Sequence, residues 1–203
     1  MPYNPAIHNR HSIRLPGYDY TQPGAYYLTI LTHKKEHLLG EVYNGVVQLS
    51  PMGKITQEQW LKIPTHFSNV LLDAFVIMPN HIHGILVITD STVRTGKGKA
   101  FDFWLSQKNS TIQNHSTDQN KSTNHGSNAL PILSGSEPGS IPAIVQNFKS
   151  ITSRRINKLL KSPGSTIWHR NYYEHIIRDE VDFKRIVRYI EQNPHKWEKE
   201  EKK

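Results

Sequence analysis

The stretch "VLLDAFVIMPNHIHGILVIT", residues 70–89, consists of two apolar, β-branched runs divided by Pro79-Asn80. Runs of this length and composition on either side of a turn signal read as two strands. Successive side chains of a strand leave opposite faces, so His81 and His83 leave the same face, roughly 6–7 Å apart along the strand. Two imidazoles so placed can reach one divalent ion. His-x-His also arises by chance in a chain with 12 histidines. The pair alone therefore has two readings: metal ligands, or polar residues at a strand start.

Upstream, residues 1–23 are polar and punctuated by proline. "AYYLTILTHK", residues 25–34, is β-branched and aromatic and predicts a strand. "EVYNGVVQL", residues 41–49, carries Asn44-Gly45 between apolar pairs, a hairpin signal. Ser50-Pro51 reads as an N-cap followed by proline at the first helical position. The helix it opens should run to about Lys62, with Pro64 stopping it.

Downstream, the composition changes after Asp90. From Ser106 to Asn128, 16 of 23 residues are Ser, Thr, Asn or Gln, too few apolar groups to offset the entropy of ordering. Residues 91–139 are therefore expected to be a disordered insertion, with His115 and His125 solvated and "FDFWL" (101–105) a small apolar patch. "IPAIVQNFKSITSRRINKLL", residues 141–160, has apolar residues at 141, 145, 148, 156 and 159, a helical spacing. "YYEHIIR", residues 172–178, reads as a strand. "DEVDFKRIVRYIEQNP", residues 179–194, reads as a last helix, with acidic residues at its start suiting the helix dipole and Pro194 ending it. One domain is expected, in two parts, 1–90 and 140–203, with the insertion between them. The order of elements predicts an α+β fold, an antiparallel sheet with helices packed on one side.

The chain of 203 residues is 36% hydrophobic, enough for one sizeable core. No long uncharged apolar run is present, so no membrane span is expected, and "MPYNPAIHNRHSIRL" lacks the apolar region of a secretory signal. Absence of cysteine excludes disulfides and thiolate metal sites. These features fit a cytoplasmic protein. The net charge is +8, and between Lys149 and Lys161 lie Lys149, Arg154, Arg155, Lys158 and Lys161 with no acidic residue. Such a stripe is the footprint of a polyanion, nucleic acid above all, or else a solvated helix face.

The last helix adds chemistry. Tyr189 and Asn193 are four apart and share a helix face. An asparagine carbonyl is a hard oxygen ligand suited to Mg²⁺ or Mn²⁺. A tyrosine oxygen is a competent nucleophile when positioned. Attack on phosphorus would leave a phosphotyrosine and a free 3′-hydroxyl, and reversal by another 3′-hydroxyl would join strands. Singly, Tyr189 also reads as a core aromatic beside Ile186 and Ile190, and Asn193 as a helix C-cap. Their combination with His81 and His83 points to a nuclease centre.

On these residues the chain resembles the single-tyrosine HUH transposases, in particular the REP-associated tyrosine transposase group. The matching segments are "HSIRLPGYDYTQPGAYYLTILTHKKEHLLG" (11–40), "FVIMPNHIHGILVI" (75–88), "FKSITSRRIN" (148–157) and "WHRNYYEHIIRDEVDFKRIVRYIEQNPHKW" (168–197). The resemblance implies a ferredoxin-like sheet with both histidines on a central strand. It implies Mg²⁺ or Mn²⁺ at His81 and His83, with Tyr189 as the nucleophile. Insertion-sequence relatives carry a glutamine ligand four residues after the tyrosine; this chain has Asn193 there, the REP-associated pattern, and Gln192 lies at the wrong helical angle. The implied substrate is single-stranded DNA with a hairpin or palindromic repeats, met on the nucleoid by a monomer or a homodimer. Arg14, Lys149, Arg154, Arg155, Lys158, Trp168, Arg170 and Tyr172 are the expected DNA contacts, through charge and base stacking. Tyr172 and Tyr173 are alternative nucleophiles, but only Tyr189 shares a face with a third ligand. The rival reading is a basic DNA- or RNA-binding protein that keeps the fold without cleavage. A third is a metallohydrolase that uses a metal-bound water, with Tyr189 structural.

Overall fold

The structure, a computed structural model, describes residues 15, 17–90 and 136–201. Arg14 and positions 91–135 of the expected insertion, with His115, His125 and "FDFWL", lie outside the described residues.

The two runs of residues 70–89 are strands β4 (Val70–Met78) and β5 (His81–Ile88), paired antiparallel about the two-residue turn Pro79-Asn80. In chain order the other elements are β1 (Gly24–Leu31), β2 (Gly40–Tyr43), β3 (Val46–Leu49), α1 (Pro51–Leu61), α2 (Ile63–His66), α3 (Ile141–Leu159), β6 (Tyr173–Ile177) and α4 (Glu180–Glu201). The main sheet has the antiparallel order β4-β5-β1-β6. Setting the β2–β3 hairpin aside and reading from β6, this is the fourth, first, third and second strand of a βαββαβ chain, the ferredoxin-like arrangement. Strand β5, with the histidines, is central and fully buried.

The turn and cap signals act as read. Asn44 and Gly45 both have positive φ (50° and 71°), as a type I′ hairpin requires. Ser50 Oγ accepts from Gly53 N at 3.0 Å and caps α1. Ser140 Oγ accepts from Ala143 N and caps α3.

Each face of the sheet has its own core. Tyr26, Leu28, Ile30, Ile82, Leu86 and Ile88 meet Trp60 of α1 and Ile144, Val145 and Phe148 of α3. Gly84 keeps the Trp60 ring against β5, since a Cβ there would lie 2.3 Å from Trp60 Cζ2. On the other face, Ala25, Tyr27, Leu71, Ile85 and Val87 meet Ile186 and Ile190 of α4. Helices thus cover both faces, not one as expected. α4 carries its own apolar stripe, and among the described residues it is the helix that meets the face β1 and β5 present to it.

Proline accounts for two further differences, and the end of β1 is a third. Pro64 does not end helical structure; it opens the short helix α2, a first-turn position that needs no N–H. Pro194 does not end α4, which continues to Glu201. The extra turns are held by tertiary contacts: Glu198 accepts from Gly45 N at 2.8 Å, and the Trp197 ring lies 5.6 Å from that of His81. In β1, the chain leaves the sheet at Leu31, before the expected His33 and Lys34, which turn in a short 3₁₀ segment with Lys34 and Lys35 at positive φ.

Candidate active site

His81 and His83 project from β5 on the α4 side of the sheet, in the same parity as Ile85 and Val87. Both are buried, at 8% and 5% exposure. Their rings lean together more than strand spacing alone implies: the centroids are 4.4 Å apart and the Nε2 atoms 3.0 Å apart. Burial pushes the His81 imidazole down to about 4, against a hydrogen bond accepted by the Asn193 side chain that favours the charged ring. Burial, then the charge of His81, pushes His83 down to about 3. Both rings are therefore neutral near pH 7, and neutral imidazole is the ligand form.

α4 crosses this face and delivers Tyr189 and Asn193. Tyr189 Oη lies 3.5 Å from His83 Nε2, with the rings 5.2 Å apart at 66°. Tyr189 is 40% exposed, while Asn193, one turn on, is buried beside His81. Lys196 Nζ sits 5.4 Å from the Tyr189 ring centroid and adds positive charge at the mouth. Tyr173 on β6 is exposed and meets Tyr27 edge-on at 6.3 Å; it stands two strands from the histidines, across β1.

The residues suit a divalent ion. Among the described residues no three His, Cys, Asp or Glu side chains converge, and the further oxygen-bearing side chain beside His81 is the Asn193 amide. Two nitrogens 3.0 Å apart match adjacent ligands of an octahedral cation at roughly 2.1 Å from each. Two imidazoles with one amide oxygen suit Mn²⁺ better than Mg²⁺, which prefers oxygen throughout.

Behind the two imidazoles stand partners that no local sequence pattern places there. His81 Nδ1–H donates to Asn80 Oδ1 at 2.7 Å, and Asn80 Nδ2 donates to the Lys35 carbonyl at 3.2 Å. His83 Nδ1 lies 2.7 Å from Tyr27 Oη and 2.9 Å from Thr29 Oγ1. Asn80 reads in sequence only as a turn residue. Tyr27 and Thr29 face His83 because Thr29 pairs with His83 across β1–β5, a register that only the fold supplies.

The expected DNA contacts divide. Arg154, Lys158 and Lys161, with Ser153, Asn157, Pro163 and Gly164, line a cavity of about 440 Å³ on the outer side of α3. A second cavity, about 310 Å³, shares Ser153 and Gly164 and is lined by Lys149 and by residues 165–170, including Arg170. That segment reaches the histidine end of the sheet: His169 N donates to the Leu31 carbonyl, and Leu31 pairs with His81. Arg154, Lys158 and Arg170 are exposed there. Three others have structural employment. Lys149 Nζ donates to the carbonyls of His169 and Asn171 at 2.9 and 3.0 Å, and burial pushes its ammonium down to about 8. Arg155 pairs with Glu58 at 3.1 Å. Trp168 is only 5% exposed and donates Nε1–H to Thr152, so it is a core residue with no face for a base. Tyr172 is half-buried against the core, with the Lys149 ammonium 5.5 Å from its ring.

No protein-family model matches the sequence. An uncharacterized protein of Haemophilus influenzae is 38% identical over 199 residues, which is 98% of this chain and 96% of that protein. Among solved structures, a REP-associated tyrosine transposase bound to a REP hairpin superposes with a TM-score of 0.52 at 14% identity, over 91% of this chain and 74% of that one. A candidate transposase from Deinococcus radiodurans has a TM-score of 0.43 at 18% identity, over 89% of this chain and 96% of that one. The chain belongs to one family with the Haemophilus influenzae protein, and its fold is that of the REP-associated tyrosine transposase.

Proposed function

We propose that the chain is a metal-dependent, transposase-like endonuclease and strand transferase for single-stranded DNA, acting on a strand that carries a hairpin. The observation that carries this reading is the convergence of Tyr189 Oη with the Nε2 atoms of His81 and His83, with Asn193 alongside. His81, His83 and Asn193 would hold a divalent cation, which would supply charge stabilisation at the scissile phosphate. Tyr189 Oη attacks the phosphorus. An O–P bond to tyrosine forms, the P–O3′ bond breaks, and the phenolic proton is lost while the leaving 3′-oxygen gains one. The 5′-phosphate remains on Tyr189, and attack by another 3′-hydroxyl reverses the step and joins two strands. The α4 helix keeps the nucleophile at the edge of a buried site, where its oxygen meets a polymer that cannot enter the core. Arg154, Lys158 and Lys161 line one cavity beside α3 and Arg170 lines its neighbour, and in this reading these cations carry the DNA backbone. A tyrosine transposase of this fold has been solved with a REP hairpin, which supports a hairpin as the substrate here.

The test is incubation with a labelled hairpin oligonucleotide and Mn²⁺. The expected product is a denaturation-resistant protein–DNA adduct joined to the 5′-phosphate fragment, with a free 3′-hydroxyl on the other. Wild-type protein without adduct, or an adduct undiminished in Tyr189→Phe, overturns the assignment.

A further inference from the structure

The histidine pair is the middle of one hydrogen-bonded chain whose two ends differ in kind. Thr29 Oγ1 donates to Tyr27 Oη at 3.2 Å, and Tyr27 Oη meets His83 Nδ1 at 2.7 Å. His83 Nε2 meets His81 Nε2 at 3.0 Å, and His81 Nδ1 meets Asn80 Oδ1 at 2.7 Å. An amide oxygen only accepts. The Asn80 amide cannot turn over, because its Nδ2 faces the Lys35 carbonyl, which also only accepts. Lys35 is fixed in turn by its left-handed backbone (φ 58°), and the Asn80 carbonyl accepts from Thr32 N and Thr32 Oγ1. Neutral His81 therefore carries its proton on Nδ1 and presents its Nε2 lone pair toward His83, with the Asn193 side chain also beside the ring.

His83 faces hydroxyls instead, which both donate and accept. Tyr27 can donate to His83 Nδ1; His83 then donates Nε2–H to His81, and every proton in the chain has a place. Alternatively the hydroxyl bond reverses, so that His83 Nδ1–H donates to Tyr27 Oη and Tyr27 donates to Thr29. The Thr29 hydroxyl proton then turns toward solvent, since Thr29 is half-buried. In that second arrangement two Nε2 lone pairs face each other at 3.0 Å. This is unfavourable alone and is what two ligands of one cation require.

We propose that Asn80, Tyr27 and Thr29 are positioning residues with separate tasks: Asn80 locks His81 in its ligand tautomer, while the Tyr27–Thr29 hydroxyl pair lets His83 move its proton from Nε2 to Nδ1 when a divalent cation arrives. The proton stays on the same ring, so the switch releases none. Without the cation the His83–His81 hydrogen bond keeps the site satisfied. The inference rests on the histidine pair being the metal site proposed above.

Two measurements on the full chain test it. Long-range ¹H–¹⁵N spectra of ¹⁵N-histidine protein in EDTA should show His81 protonated on Nδ1 and His83 on Nε2. Added Mg²⁺ should move only the His83 proton, to Nδ1. Mn²⁺ titration followed by electron paramagnetic resonance should show Asn80→Ala weakened about 10- to 100-fold, the usual cost of a lost outer-shell partner. Asn80→Asp, which keeps an acceptor oxygen, should stay within several-fold of wild type. His81→Ala separates the two readings. If it loses Mn²⁺ while Asn80→Ala binds as wild type, the positioning role is overturned and the metal site stands. If His81→Ala binds as wild type, the metal site itself falls, and the inference with it. Should Asn80→Ala fail to fold, the wild-type spectrum decides, and an Nε2–H tautomer at His81 overturns the proposal.

Discussion

Tyr189 Oη stands 3.5 Å from His83 Nε2, a contact between residues 106 positions apart. It is made by laying α4 across the α4-facing side of β5. Two other tyrosines share that neighbourhood. Tyr27 is buried, its ring 6.4 Å from that of Tyr189, and burial raises its phenol well above the usual range. Tyr173 is exposed but on the far side of β1. Tyr189→Phe is therefore expected to abolish the covalent adduct, while Tyr173→Phe keeps the rate within about tenfold of wild type, as for a residue outside the reacting set. Quantifying adduct per minute for the two variants checks this. Equal loss in both would remove the special status of Tyr189.

The histidine pair also makes stability depend on pH in the metal-free protein. Burial holds His81 at about 4 and His83 at about 3, against an ordinary value near 6.5. These are depressed values, so the stabilisation is complete above pH ~6.5 and is lost as pH falls toward the folded values. In that window the unfolded chain takes up protons that the folded chain refuses. Each histidine contributes a slope of at most about 1.4 kcal/mol per pH unit. Urea unfolding in EDTA at pH 7, 6 and 5 should show the loss concentrated below 6.5. His83→Gln should have a shallower dependence, and a slope identical to wild type would contradict the burial argument.

What sequence conveyed and what it did not divides by the range of the interaction. Strands β4 and β5, the Asn44-Gly45 hairpin and the Ser50 cap rest on neighbours in the chain, and local chemistry writes them plainly. The coincidence of His81, His83, Tyr189 and Asn193 was legible because period two and period 3.6 each put a pair on one face. That α4 covers the second face of the sheet was not legible, since an amphipathic stripe does not say which surface it meets. Trp168 looked like a stacking platform because burial is a tertiary property. Pro194 looked like a helix end because the partners that hold the following turns, Gly45 for Glu198 and His81 for Trp197, lie outside the helix.

Among the basic residues, structural and DNA-contacting cations should separate cleanly. Lys149 closes the 169–171 segment through backbone carbonyls, whereas Arg154 and Lys158 line the open cavity. Arg154→Ala and Lys158→Ala should each weaken single-stranded DNA binding across sequences and lower the slope of log K against log salt by roughly one phosphate contact. Lys149→Ala should instead lower the melting temperature. Fluorescence anisotropy at several salt concentrations, with thermal unfolding alongside, distinguishes them. A Lys158→Ala protein with an unchanged salt slope would take the cavity off the DNA path.

The reach of α4 past Pro194 depends on the β2–β3 hairpin. Gly45 has φ +71°, and a Cβ there would lie 1.9 Å from His195 Nδ1. Its N–H donates to Glu198 at 2.8 Å. A side chain at that position would need the exposed His195 ring to move as well as a left-handed backbone, and the same helix carries Tyr189 and Asn193 to the histidines. Gly45→Ala combines a strained backbone with a side-chain clash, which together cost about 1–3 kcal/mol. The clash falls two residues beyond Asn193, so the cleavage rate should drop by more than the stability loss explains at a temperature where the variant stays folded. Glu198→Gln keeps an acceptor oxygen for Gly45 and should show neither effect strongly. The measurement is melting temperature paired with adduct formation at 20 °C below it, and a Gly45→Ala protein unchanged in both would mean that the hairpin does not hold the tyrosine helix.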